Sequence, residues 1–456
     1  MRKFLAMLLV LTLCVGLFAG CGGKAPASSA APASSAAPAA SSAAPEAAPA
    51  GLTGEITWWA FPTFSTTYAA GEYEQQMVDA FQAKNPGVKV KVEMIDFTSG
   101  PEKIVSAIQG GTAPDVLFDA PGRIVDYGKN GKLVSLNDLF TDDMKKDVGN
   151  ENILAACSDG KDYWMYPISS APFIMAVNKK VLEKEGLLDM VPQKGERTWT
   201  TEQYTKLNEA LKAKGYKNGI VFCSGQGGDQ GTRAFISNLY GSSITDKALT
   251  KYTINDANGV KGLQYVADQV KAGNLENGVA FNGGEAIEQF VSGAVTTTLL
   301  WAPVNAVNNA PTMEANGVEA LALPLPSESG KPNLEYLVNG FCVFNNKDDN
   351  KAAIAKEFIK FLCDDAEWGP KNVVATKAFP VRQSFGDLYP GNEDMAFYAS
   401  MSKYYGTYYN TINGFAAMRP EWFSNLQAVM SGDKTAQQAA DDFVNNSNKA
   451  IEAAKK

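Results

Sequence analysis

Between Gly54 and Asp119 the hydrophobic period of the chain switches repeatedly between that of a strand and that of a helix. EITWWAF is an apolar run of strand length. GEYEQQMVDAFQAKNPG places Tyr73, Met77, Ala80 and Phe81 on one helical face and ends on Asn-Pro-Gly, which cannot continue a helix. VKVKVEMI then alternates with the strand period, a helix is expected over 101–110, and DVLF at 115–118 reads as a buried strand. Strands and helices in this alternation hide their apolar faces best as a mostly parallel sheet with helices packed on it. Ligands of such sheets gather beyond the carboxyl ends of the strands. That rule selects Phe61 to Phe64 after the first strand and Asp119 to Arg123 after the third.

The mixture continues downstream. YWMYPISSAPFIMAVNKKVLEKEGL predicts an apolar strand between Pro172 and Val177 followed by a helix, and TWTTEQYTKLNEALKAKG opens on threonines suited to capping. NGIVFCSGQGGDQGTRAFISNLYG is a short strand, a glycine-rich loop and a helix. In AIEQFVSGAVTTTLLWAPVNA a helix precedes a β-branched strand from Val295 to Leu300, which delivers Trp301 to a loop. KAAIAKEFIKFL and PEWFSNLQAVMSG are amphipathic helices, and Thr435 with Gln438 fits a capping box for a last one. The glycines of GQGGDQG lack the Gly-Lys-Ser/Thr of a phosphate loop and better suit backbone amides that approach a solute.

At 456 residues the chain exceeds what one core usually supports, so two domains are expected. It has no histidine, which removes the commonest general base and the commonest zinc ligand together; no cofactor or metal is expected. A net charge of -8 with scattered Lys and Arg argues against a nucleic-acid partner. At the start, Arg2 and Lys3 precede an apolar run from Phe4 to Phe18, too short to span a bilayer and of signal-peptide length. It closes on Phe18-Ala19-Gly20-Cys21, which resembles a bacterial lipobox with Phe18 where Leu is usual. Residues 1–20 are therefore read as a lipoprotein signal peptide and Cys21 as the lipidated residue. Between Ala25 and Ala50 every residue except Glu46 is Ala, Ser or Pro, so 21–53 is expected to be a disordered tether. Cys157, Cys223, Cys342 and Cys363 show no CxxC spacing and are expected to be buried thiols.

NPGVKVKVEM, GTAPDVLFDA, GKLVSLNDLF, YPISSAPFIMAVNKKVLEKEGL, TWTTEQY, LPLPSESG, KAAIAKEFIKFL and FPVRQS follow one another in an order and spacing that resemble the extracellular solute-binding proteins of family 1. These are the carbohydrate-type receptors of ABC importers. The resemblance runs from about Gly54 to the end of the chain. It implies an α/β periplasmic-binding-protein type II fold, two lobes with a hinge and a ligand cleft between them. The first lobe is expected over 54–170 and 340–386 and the second over 171–339 and 387–456, with hinge segments near 168–172, 336–342 and 384–390. Asp119 follows PDVLF where maltose-binding members place a sugar-binding acid, with Arg123 just beyond. SGQGGDQGTR puts Gln226, Asp229, Gln230 and Arg233 at a sugar-contacting loop of the second lobe, where those members use Glu and Tyr. Trp301 and Trp422 match two tryptophans that stack on sugar rings.

A pyranose shows C–H groups on its faces and hydroxyls at its rim, so aromatic plates and planar polar side chains complement it. The candidate ligand-binding set is Trp59, Phe61, Asp119, Arg123, Gln226, Asp229, Arg233, Trp301, Asn339 and Trp422. Several have structural alternatives. Trp58 and Trp59 alternate across a strand, so one faces the core; Asp119 could cap the next turn; Arg233 could pair with Asp229; Arg382 suits a hinge or surface; SKYYGTYYN reads more readily as core packing than as a sugar platform. The expectation is a monomeric, non-enzymatic, lipid-anchored receptor on the extracellular face of the membrane that delivers a saccharide to ABC permease subunits. The runners-up are a receptor for glycerol 3-phosphate or another sugar phosphate, and a surface-anchored carbohydrate-active enzyme.

Overall fold

The computed structural model describes residues 51–64, 68–96, 99–225 and 228–454. The expected signal peptide, Cys21, the tether as far as residue 50, and Gln226 lie outside the described residues.

The strands are β1 (Gly54–Ala60), β2 (Val88–Met94), β3 (Val116–Asp119), β4 (Tyr166–Pro172), β5 (Ile174–Asn178), β6 (Ile220–Phe222), β7 (Glu276–Gly278), β8 (Thr297–Trp301), β9 (Ala320–Leu323), β10 (Tyr336–Val343) and β11 (Phe379–Pro380). One sheet has the order β11-β4-β10-β3-β1-β2. Its β2-β1-β3 portion is parallel, with the intervening helices Glu72–Lys84 and Gly100–Gly110. Beyond β3 the sheet departs from the mostly parallel expectation, because β10 is antiparallel to β3 and β4, and β11 is antiparallel to β4. The reason is connectivity. β4 follows β3 through helices and runs in the same direction as β1 to β3, whereas β10, reached only after the chain has passed through the second sheet, is inserted between β3 and β4 in the opposite direction, and β11, joined to β10 through helices, shares that direction.

That second body holds the antiparallel sheet β8-β5-β9 and the parallel pair β6-β7. The chain leaves the first sheet at Pro172 and enters the second at Ile174, and it returns between β9 and β10. At this seam the Phe173 amide donates to the Glu335 carbonyl at 2.9 Å, so the outgoing and returning segments touch. Each lobe has its own hydrophobic core. Ile56, Phe118, Phe341 and Phe358 pack in the first; Val177, Phe222, Phe235 and Leu426 pack in the second.

The strand expected between Pro172 and Val177 is β5, and the seam explains why β4 itself carries no strand signal in the sequence. YPISSAP carries two prolines and two serines, yet all of its residues are buried. Ser169 lies against Thr376 Oγ1 at 2.9 Å and accepts from Asn339 Nδ2 at 3.1 Å, which makes the burial of these hydroxyls tolerable. The caps are local and follow the sequence. Thr200 accepts from the Gln203 amide while the Gln203 side chain accepts from the Thr200 amide, and Thr435 and Gln438 exchange the same pair of bonds. The four cysteines of the folded body are buried and free.

Candidate functional site

At the carboxyl end of β3 the expected residues Asp119 and Arg123 come together, although neither lines the cavity described below. Asp119 ends the strand, Pro121 starts the helix Pro121–Lys129, and this turn sets Asp119 and Arg123 one helical turn apart. Arg123 donates from Nε to Asp119 Oδ2 and from Nη2 to Oδ1, both at 2.6 Å, and the Ala120 amide donates to Oδ1 at 2.7 Å. The Asp119 side chain is 4% exposed and that of Arg123 40% exposed, and the carboxylate holds the guanidinium through its Nε and Nη2. Phe61 lies beneath, its ring 5.5 Å from the Arg123 guanidinium carbon, and is itself buried.

A second cluster forms at the start of the helix Gln230–Tyr240. Asp229 immediately precedes that helix, and Arg233 Nη1 donates to its Oδ2. Arg419, from the helix Phe415–Ser431, donates to the same carboxylate from Nε at 2.9 Å and from Nη2 at 2.6 Å. Burial opposes the charge of Asp229, but the two guanidinium groups outweigh it and hold the carboxyl below its usual range. Arg233 Nε donates to the Tyr409 hydroxyl at 2.5 Å, and that hydroxyl donates to Glu335 Oε1. A continuous polar chain therefore runs Arg419–Asp229–Arg233–Tyr409–Glu335 from the second lobe to the returning segment. Burial pushes the Glu335 carboxyl up to about 7, although Arg233 and Tyr409 favour its ionised form.

This chain ends at a cavity of ≈ 460 Å³ whose walls include Asn152, Ser237, Thr245, Asn333, Glu335 and Tyr409. Asn152 belongs to the helix Glu151–Ala156, which packs in the first core, whereas Ser237 lies on the helix Gln230–Tyr240 of the second. Among the described residues, Asn152 is the one lining side chain from the first lobe; the others belong to the second lobe and the segments around Glu335 and Tyr409, and most are hydroxyls or amides. The segment around Tyr409 also reaches the first lobe, where Lys129 Nζ donates to the Thr411 carbonyl at 2.5 Å.

The aromatic expectations need correction. Trp301 is not delivered to a loop. It is the last residue of β8, pairs with Ile174, is 0% exposed, and donates its indole N–H to the Tyr398 hydroxyl at 2.9 Å. Trp422 is not at a helix start, because the helix already begins at Phe415 and runs through Pro420. Its ring is buried, its N–H donates to Thr232 Oγ1 at 3.0 Å, and Phe443 meets it edge-on. Neither ring shows a face to a solute. Trp58 and Trp59 are both buried, because the sheet is covered on both sides: Trp58 meets Phe358, and Lys103 Nζ lies 4.6 Å from the Trp59 ring. Asn339 is buried in β10, where it joins β4 through Ser169, and Arg382 is held by Asp364. Glu335, Tyr409 and Arg419 were not singled out by sequence. The available signals were weak: an acid directly before an apolar strand, and a tyrosine in a run that reads as core.

The comparisons with known proteins bear on this arrangement. The family model for bacterial extracellular solute-binding proteins matches residues 65–367, more than half of the chain. The chain belongs to that family. A binding protein of Brucella abortus is 26% identical over 117 residues, 26% of this chain and 28% of that protein. A lipoprotein of Streptomyces antibioticus is 22% identical over 141 residues, 31% of this chain and 30% of that protein. The matches therefore span less than a third of the curated relatives' length. Among solved structures, the GacH receptor of Streptomyces glaucescens, determined unliganded and with acarbose, aligns with a TM-score of 0.71 at 17% identity, covering 88% of this chain and 99% of that one. The cyclic α-maltosyl-1,6-maltose binding protein of Arthrobacter globiformis aligns at 0.72 and 17% identity, covering 88% and 100%. These likenesses establish the two-lobed α/β fold of the solute-binding proteins. In this solute-binding protein, no group of His, Cys, Asp or Glu among the described residues is arranged to hold a metal ion.

Proposed function

We propose that this solute-binding protein is a lipid-anchored extracellular receptor that captures a saccharide between its lobes and presents it to an ABC import permease. The observation that carries the reading is the cavity of ≈ 460 Å³, walled mainly by hydroxyl and amide side chains of the second lobe and its bridging segments and met by Asn152 of the first. A solute touching both walls favours the closed arrangement by the contacts it makes there and nowhere else, which is how ligand and closure are coupled in a hinged fold. Two solved relatives are described as binding acarbose and a cyclic maltosaccharide, and one relative is named a lipoprotein. The reading divides the body into a lobe of 54–170 with 340–386 and a lobe of 171–339 with 387–456, and it takes Cys21 as the lipid attachment point. A receptor is favoured over a glycosidase because Asp119 and Asp229, the acids among the candidate ligand-binding residues, are each occupied by arginine rather than opposed across a bond. One observation favours a sugar phosphate instead: the Arg123 side chain is 40% exposed and Asp119 engages only its Nε and Nη2, which leaves Nη1 for an anion.

The test is a thermal-shift panel of maltose, maltotriose, cellobiose, raffinose and glycerol 3-phosphate. A bound solute raises the melting temperature. A rise with an oligosaccharide supports the reading, a rise with glycerol 3-phosphate alone replaces it with the anion reading, and no rise with any of them defeats both. Anchoring is tested separately by metabolic labelling with a fatty-acid analogue, which should mark the wild type and not Cys21→Ala.

A further inference from the structure

We propose that Glu335, rather than Asp119 or Asp229, is the carboxylate that accepts hydrogen bonds from the hydroxyls of a neutral, polyhydroxylated solute. The inference rests on the saccharide-receptor reading and names the residue on which that recognition turns.

Carboxylates are strong acceptors for sugar hydroxyls only when their lone pairs are available. Asp119 has both oxygens committed to Arg123 and the Ala120 amide. Asp229 has both committed to Arg233 and Arg419 and is 1% exposed. Glu335 differs on each count. It lines the cavity, it makes no ion pair among the described residues, and its hydrogen bond is received at Oε1 from Tyr409, which leaves Oε2 for a solute. Tyr409 is itself fixed by Arg233, so the carboxylate is oriented before a solute arrives. Around it, Asn152 and Ser237 already donate to the Tyr405 and Ala234 carbonyls and so offer acceptor oxygens, while the Thr245 hydroxyl and the Asn333 amide on the same wall add donors, the mixture that a ring of hydroxyls needs. Position adds a second role. The Glu335 carbonyl accepts from Phe173 where the two crossing segments touch, so a solute held by this side chain is held at the seam that closure bends.

Proton release follows from the same geometry. The charged and titratable groups around Glu335 are Arg233 and Asp229 at the start of their helix, Tyr408 and Tyr409 of the bridging segment, and Lys247 on the cavity wall. Burial leaves the carboxyl at about 7, so it is partly protonated in neutral solution. A hydroxyl donating to Oε2 stabilises the ionised form and so expels that proton.

The experiment is isothermal titration of the full chain at about pH 7 with maltotriose, and with the other oligosaccharides of the panel, in two buffers of different ionisation enthalpy. The expected result is a buffer-dependent heat showing proton release, lost in Glu335→Gln together with about tenfold of affinity. Glu335→Asp, which keeps the charge but withdraws it, should fall between the two. The wild-type proton release needs no variant, so the proposal stays exposed even where Glu335→Gln folds poorly. An oligosaccharide that binds with no buffer-dependent heat, or that binds Glu335→Gln as tightly as wild type, overturns the assignment while leaving the receptor reading intact. If no oligosaccharide binds the wild type, the receptor reading fails and takes this inference with it.

Discussion

Arg419 closes on Asp229 across 190 residues of chain, with Nε 2.9 Å from one carboxylate oxygen and Nη2 2.6 Å from the other. The bond ties the helix Phe415–Ser431 to the start of the helix Gln230–Tyr240, and Arg233 joins from within. Removing one partner of a buried ion pair strands the other charge, which is costlier than never having had the pair. Asp229→Asn is therefore expected to lower stability by about 3–5 kcal/mol in urea unfolding, since Arg233 is 1% exposed and cannot reach water. Arg419→Ala should cost less, because it leaves Asp229 paired with Arg233 and removes a side chain that is already 18% exposed. Equal losses in the two variants would show that Arg233 does not hold the carboxylate alone.

The same cluster gives stability an unusual pH dependence. Glu335 is raised from 4.5 to about 7 in the folded protein. The folded state therefore keeps a proton that the unfolded chain has lost, and stability falls as pH rises across that window, at most by about 1.4 kcal/mol per pH unit. Asp229 works in the opposite sense. Its lowered carboxyl contributes stability that is present above the ordinary value of 3.8 and is lost as pH falls through the folded one. Melting temperature measured from about pH 4 to about pH 8 should peak on the acid side of neutrality. In Glu335→Gln the fall toward neutral pH should flatten while the acid limb persists. A wild-type maximum at neutral pH that Glu335→Gln leaves in place would contradict the raised Glu335 carboxyl.

Trp301 and Trp422 predict stability losses rather than binding losses. Each is enclosed by apolar neighbours and has its N–H satisfied inside the second core. Replacing either by Ala removes a large buried ring and strands Tyr398 or Thr232, for an expected cost of about 3–5 kcal/mol. The milder Trp422→Phe should retain solute affinity in the folded fraction. A variant that unfolds normally but binds weakly would return that tryptophan to the cleft.

How far the sequence could be read depended on the range of the interactions. The parallel trio β1, β2 and β3 was legible because its periods are local and its helices lie between its strands. β4 was not, because Pro167, Ser169, Ser170 and Pro172 carry no strand signal and become acceptable only once Asn339 and Thr376 satisfy the Ser169 hydroxyl. At the site, Asp119 with Arg123 and Asp229 with Arg233 are pairs one helical turn apart, a spacing that shows in the sequence. Tyr409 with Glu335 and Arg419 with Asp229 are separated by 74 and 190 residues, and no local rule joins them. Trp301 and Trp422 were placed by resemblance and by the sugar-stacking logic of exposed rings. Burial decides otherwise for both, because a strand that keeps pairing and a helix that starts a turn early carry them inward.

The crossing of β4 and β10 supplies a test of the hinge itself. β10 shifts register between Asn339 and Gly340, and at Gly340 the neighbouring backbone comes so close that an added Cβ would sit 2.5 Å from the Tyr166 carbonyl oxygen and 2.9 Å from Met165 Cγ. Backbone cannot swing away as a flexible side-chain tip can, so Gly340→Ala must push the two crossing strands apart. Overpacking of this kind typically costs about 1–3 kcal/mol. Because Glu335 and Phe173 are joined at the adjoining end of the same crossing, the displacement should also reach the seam that the solute bridges. Gly340→Ala is expected to lower the urea midpoint and to weaken solute affinity together, although no atom of Gly340 lines the cavity. Gly278→Ala is the matched control: its Cβ would sit 2.3 Å from the Val221 carbonyl oxygen, in the β6–β7 pair of the second body and away from the crossing. It should lower stability and leave the affinity of the folded protein unchanged. If the two variants behave alike in binding, the crossing does not transmit strain to the solute site.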